Sequence, residues 1–333
     1  MYDAPTLVFI PGAWHQPNCY DKIIKLLEEQ HHLKCVAITL PSTTGDPNIT
    51  FKDDYDAARN AITHETTAGR DVVVLAHSYG GLVGNSAIKG LTLPQPNTPL
   101  STATTTSSPT TKSNPTHGHV TGLILLASGF SFTGLTFMAP LFNIPPPFFR
   151  VNRTTGFAEL TYPPTQFFYH DLPPPEASYW TSQLRPQSLR SLFEGAEYAY
   201  AGWRDLPARG RGGVWYVGTV EDQGLPVVVQ RMQVGMVRAM GVGAEHREVR
   251  ASHSLFLSRP EETVRVVAEA VGVFRGGRLT GADVDGKVVV APGARLWAPG
   301  TWFRFGLPLA LGHVIGKCVL VFMWGRRLLM GGR

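Results

Sequence analysis

Over the first 90 residues, short continuous apolar runs alternate with amphipathic stretches. "TLVFIPG" (6–12), "CVAITLPS" (35–42) and "DVVVLAH" (71–77) are almost uninterrupted in Val, Ile and Leu, and each predicts a strand. Between and after them, "CYDKIIKLLEEQHH" (19–32), "DDYDAARNAITHET" (53–66) and "YGGLVGNSAIKG" (79–90) predict helices; in the first, Ile23, Ile24, Leu26 and Leu27 share one side. A strand without alternation is buried on both faces. Strands of that kind alternating with helices imply an α/β fold: a mostly parallel central sheet covered by helices on both faces. The pattern resumes with strands at "VTGLILLAS" (120–128), "GVWYVGT" (213–219) and "AEHREVRAS" (244–252). It closes with a helix over 258–274, where Ser258 and Glu261 form an S-x-x-E capping box.

Three segments depart from this rhythm. Residues 93–119 are rich in Ser, Thr, Pro and Asn with almost no large apolar side chain, so a flexible surface insertion is expected. Residues 130–206 hold 17 of the chain's 34 Phe, Tyr and Trp. That density predicts a small helical subdomain acting as a lid over an apolar pocket. Residues 275–333 form a basic extension. The core is thus expected over 1–129 and 207–274.

Charge follows the same division. The formal net charge is +5, yet residues 275–333 carry nine Lys or Arg against Asp283 and Asp285, or +7, which leaves −2 for the rest. A basic pI confined to the tail is not a nucleic-acid footprint, and no base-reading module accompanies it. Three cysteines, Cys19, Cys35 and Cys318, have neither disulfide nor metal spacing. With a first strand six residues from the start and no basic-then-apolar leader, they give a cytoplasmic expectation. No metal, nucleotide or other cofactor is expected.

Chemistry concentrates at "AHSYG" (76–80). Ser78 ends a buried strand and precedes a helix, flanked two residues away by Ala76 and Gly80. Small flanking residues let a tight strand-to-helix turn present a nucleophile, and the turn puts the Tyr79 amide at a helix N-terminus where it can hold an oxyanion. "PGAWH" (11–15) follows the first strand, where a second amide donor belongs. Ala13 is the first choice, with Trp14 the neighbouring candidate. Serine is a poor nucleophile at neutral pH unless a His takes its proton and a carboxylate fixes that His. His253, in "ASHSLFL", follows the last core strand. The acid lies in "GTVEDQGLP": Asp222, with Glu221 as runner-up. His77 is expected to be structural. Trp14, His15, Phe130 and Leu225 are candidates to line the substrate pocket.

The order Ser–acid–His at three strand ends, carried by "LVFIPGAWH", "VVVLAHSYGG", "EDQGLP" and "ASHSLFLSRPEE", resembles the α/β-hydrolase superfamily. The similarity is greatest to its cofactor-free branch of plant methyl esterases, hydroxynitrile lyases and their fungal and bacterial relatives, and it extends over about residues 5–274. "FFYHDLPPPEASYW" and "LRPQSLRSLF" resemble lid sequences of that branch. Many members have His-Gly where this chain has Pro11-Gly12. The lyases have Lys after the His where this chain has Ser254, so the resemblance does not extend to lyase chemistry. It implies a serine hydrolase of an ester, thioester or lactone of a small apolar molecule. Two rivals remain: a triad-based cyclase, acyltransferase or C–C hydrolase, and a non-catalytic ligand-binding relative.

The segment "FGLPLALGHVIGKCVLVFMW" (305–324) is long enough to span a bilayer. A central Lys317 costs about 2.5 to 3.5 kcal/mol on insertion, however, and Pro308 interrupts the first turn. A loosely packed or poorly ordered extension is the expectation here, with a membrane anchor the alternative. Oligomeric state is left open.

Overall fold

The computed structural model describes residues 4–93, 117–207, 213–279 and 288–330. Most of the expected flexible insertion, 94–116, lies outside the described residues. Ten strands occur among the described residues, in chain order: β1 (Thr6–Ile10), β2 (Cys35–Ala37), β3 (Val72–His77), β4 (Val120–Leu126), β5 (Phe149–Asn152), β6 (Phe157–Leu160), β7 (Gln187–Ser188), β8 (Gly213–Thr219), β9 (Glu245–Val249) and β10 (Val289–Val290). Seven of them form one sheet in the order β10-β9-β8-β4-β3-β1-β2. Every pairing is parallel except the edge pair β10–β9. Strands β1, β3 and β8 are buried at every position, as uninterrupted apolar runs require.

Helices α1 (Asp21–His31), α2 (Phe51–Thr67) and α3 (Gly80–Ala87) follow β1, β2 and β3. Short helices α4 (Pro164–Phe167), α5 (Pro174–Gln183) and α6 (Leu189–Phe193) lie between β4 and β8. Then come α7 (Val227–Ala239), α8 (Leu255–Ser258), α9 (Pro260–Phe274), α10 (Pro299–Thr301) and α11 (Leu307–Met330), with a π-helical stretch over Trp302–Gly306 before the last. Helix α1 packs on α9 and α2 on α3, so helices cover the sheet on both sides.

Four expectations need correction. The strand expected over 35–42 stops at Ala37, because Pro41 opens a 3₁₀ turn, Pro41–Thr43, and offers no N–H to a ladder. The capping box at Ser258 does not form. Pro260 takes the first position of α9, its predecessor Arg259 is held out of the helical region (φ −135°, ψ 57°), and Ser258 closes α8 with its hydroxyl buried and unpartnered. Residues 130–206 are not purely helical, since β5, β6 and β7 make an antiparallel sheet there.

Finally, the described part of the C-terminal extension is docked on the body rather than loosely packed. It supplies β10, and α11 lies along α7 at backbone-to-backbone distance. A Cβ on Gly312 would fall 1.9 Å from the Met232 carbonyl oxygen, and one on Gly316 2.4 Å from that of Met236. Arg231 of α7 forms a two-pronged pair with Glu248 of β9 (2.7 and 2.8 Å) and donates to the Arg304 carbonyl at 2.8 Å.

Candidate active site

Ser78 has φ +50°, a left-handed conformation that costs an L-residue on the order of 1–3 kcal/mol. Its surroundings hold it there. The Ser78 amide donates to the Leu126 carbonyl (3.2 Å), while its own carbonyl accepts from the Ser128 hydroxyl (2.6 Å) and the Gly81 amide (2.9 Å). The small neighbours have identifiable partners. A Cβ on Gly80 would meet the Pro11 oxygen at 2.3 Å, and one on Gly84 would meet the Ala76 Cβ at 3.2 Å. A Cβ on Gly12 would lie 2.8 Å from His77 Nδ1 and 3.0 Å from the Ser78 Cβ. Only glycine lets the Pro11–His15 loop press this closely against the turn carrying Ser78.

That loop is itself pinned. Trp14 has φ +63°, and its amide donates to the Gln187 Oε1 at 3.2 Å. The Trp14 amide is therefore occupied. The amides of Ala13 and Tyr79 have no partner among the described residues. His15 Nδ1 donates to the Ala13 carbonyl (2.8 Å), and the His15 amide donates to Gly12 (3.2 Å), which fixes the peptides on either side of Ala13. Gln187 in turn donates to the hydroxyls of Ser42 (2.8 Å) and Ser191 (2.7 Å). Asp54 accepts from the Ser42 amide (2.9 Å) and from the Tyr79 hydroxyl (2.7 Å). One buried polar network thus reaches both Trp14 and Tyr79. Within it, burial pushes the Asp54 carboxyl up to about 6 despite those donors.

His253 and Asp222 meet at 2.8 Å, Nδ1 to Oδ2. Asp222 also accepts from the Thr219 hydroxyl (2.6 Å) and from the amides of Gly224 and Leu225 (2.7 Å each). Burial opposes its charge most strongly, but His253 and these donors together leave the carboxyl below its ordinary range. Glu221 is exposed, with only its backbone tied to Ala251.

His77 donates from Nε2 to the His253 carbonyl (3.0 Å), which couples the residue before Ser78 to the His loop. Burial, with His253 and His15 adding repulsion, holds His77 well below the ordinary imidazole value. His15 is likewise lowered, to about 4, chiefly by burial, and its Nε2 accepts from the Tyr169 hydroxyl at 3.0 Å.

Rings from 130–206 close over His253: Phe168 stands 5.6 Å and Phe167 6.5 Å from its ring. Trp14 packs against Phe168 and Phe149 and also lines an adjoining cleft of about 370 Å³ with Phe157, Leu160 and Leu184. Of the other expected pocket residues, His15 is buried against Phe168, and Leu225 is half-buried beside Asp222. Phe130 has its ring between Trp203 and Tyr216. Gln187, Asp54, Thr219, Tyr169 and Ser252 also contribute to the site, and no local sequence motif marks them. Ser252 ties the aromatic segment down through the Phe168 carbonyl (2.9 Å) and the Asp171 carboxylate (2.8 Å).

The sequence profile of the Alpha/beta hydrolase family matches residues 7–266, and the chain belongs to that family. Among curated proteins, the alpha/beta hydrolase nvfD of Aspergillus novofumigatus is 36% identical over 88 residues, 26% of this chain and 35% of that protein. The chain thus spans about a third of the length of the curated relatives it matches. Among solved structures, a pyrethroid hydrolase from Sphingobium faniae JZ-2 shares the fold at 17% identity and TM-score 0.54, covering 81% of this chain and 98% of that one. Tomato methylketone synthase I, complexed with 2-tridecanone, shares it at 13% identity and TM-score 0.60, covering 82% and all of that chain.

Proposed function

We propose that the protein is a serine hydrolase that cleaves an ester, thioester or lactone of a mostly apolar small molecule through an acyl-enzyme. The observation that carries this reading is the buried Asp222–His253 pair, tied through His77 to the turn that holds Ser78 in a strained conformation, together with the Ala13 and Tyr79 amides that have no partner among the described residues. Ser78 Oγ attacks the carbonyl carbon as His253 Nε2 takes its proton. Asp222, bound at Nδ1, holds the required tautomer and stabilises the imidazolium. The Ala13 and Tyr79 amides hold the oxyanion, each worth on the order of 10²–10³ in rate. Collapse expels the alkoxide or thiolate, protonated by His253, and water then releases the acid by the same route. No metal or cofactor enters the scheme.

Residues 130–206 act as the lid in this account. Phe167, Phe168, Trp14 and Phe149 give the site apolar walls, which supports an apolar acyl or alcohol group. Hydrolase names among relatives support the class, and none of them fixes the substrate. The same rings support a second reading, in which excluding water lets an internal or second nucleophile take the acyl group. A chain-length panel of aryl esters tests both: turnover rising with chain length, and absent in Ser78→Ala, is expected. Equal turnover in Ser78→Ala would refute the hydrolase assignment.

A further inference from the structure

Helix α11 has two unlike faces. One carries Gly312 and Gly316 and meets the backbone of α7. The opposite face is apolar and open: Leu307, Val314, Val321 and Phe322 are each more than half exposed, as is Phe303 in the π-helical stretch before it. Over the most apolar window of Pro299–Gly325 only 22% is buried, so this is no core helix of a soluble body. A continuous exposed face of this kind marks an interaction site.

Three observations select its occupant. Exposed tryptophans stand at both ends of the segment, Trp297 just before it, Trp302 in its first turn and Trp324 near its close, where indoles favour a membrane–water boundary. The surrounding segment, 275–333, sums to +7 and places Arg326 and Arg327 directly after the apolar run. Two copies meeting through this face would bring like charges together, whereas anionic headgroups would neutralise them. At about 100° per residue, exposed His313 and Lys317 fall together on the border between the docked and open faces. A helix lying flat could turn both toward headgroups, while a spanning helix would bury them in hydrocarbon.

We infer that the open face of α11 rests on an anionic lipid surface, with the helix docked on α7 and lying in the plane of one leaflet. This inference is independent of the proposed chemistry.

The test is flotation of the full-length protein with vesicles of phosphatidylcholine containing phosphatidylserine, and with phosphatidylcholine alone. Binding to the anionic vesicles is expected to be tighter by about tenfold or more. It should be lost in Val314→Glu/Val321→Glu, whose thermal unfolding midpoint should match the parent because neither side chain faces α7. Four results would overturn the inference. One is no flotation of the parent protein, and another is flotation of the double variant equal to the parent. The third is a dimer by light scattering that the double variant dissociates, showing that a second copy covers the face. The fourth is protection of a C-terminal epitope from external protease on vesicles, showing a spanning helix.

Discussion

Ser78, Gly12 and Gly80 form one steric unit, in which a Cβ on either glycine would collide with the facing turn. The A-x-S-x-G spacing exposed half of that unit to a reading of the sequence, and Pro11-Gly12 the other half. The residues that orient it gave no local signal. Gln187 lies 173 residues from Trp14, in a segment whose polar positions look like ordinary surface. In the proposed mechanism Gln187 is a positioning residue: by engaging the Trp14 amide it fixes the loop so that Ala13 is left to the oxyanion. Gln187→Met should lower kcat by about 10- to 100-fold with KM little changed, because a misplaced donor is felt mainly in the transition state. Loss of folding alone would instead reduce the active fraction, leaving KM and per-site kcat intact on active-site titration. Asp222→Asn should lower kcat by about 10³–10⁴, whereas Glu221→Gln, at an exposed position, should leave it near wild type.

Among the elements, the apolar strands are legible because they have no polar face: the run 213–219 coincides with β8, and 71–77 exceeds β3 by one residue. Boundaries failed where proline set them, at Pro41 and Pro260. The β5–β6–β7 sheet was missed because aromatic density hides alternation. Least legible was the docking of α11, which depends on Gly312 and Gly316 meeting the smooth back of α7. Gly312→Leu forces a side chain into the Met232 carbonyl and should free α11, seen as faster amide exchange over 307–323 with the sheet unchanged. Arg231→Met tests the other tie. It strands Glu248, fully buried, without its two-pronged partner and should cost about 3–5 kcal/mol in denaturant unfolding.

For the whole molecule, the fold class follows from the sequence, whereas stability against pH follows only from burial. His15 and His77 are held neutral in the folded state, with His15 lowered to about 4. At these two positions the unfolded chain binds more protons than the native one below the ordinary imidazole value of about 6.5, so they lower native stability as pH drops toward 4, against an opposite contribution from Asp54, which is raised to about 6 and is protonated first in the native state. His15 alone accounts for on the order of 3 kcal/mol of that loss. Urea midpoints measured between pH 7 and pH 4.5 should fall less steeply in His15→Gln than in the parent, and parallel slopes would contradict the assignment. The account as a whole rests on Ser78 being an activated nucleophile. Its most direct test is the intact mass after treatment with an aryl fluorophosphonate. One adduct, mapped to Ser78, absent in Ser78→Ala and strongly slowed in His253→Ala, is the result the account predicts. An unmodified parent protein, or an adduct that persists in Ser78→Ala, would contradict it.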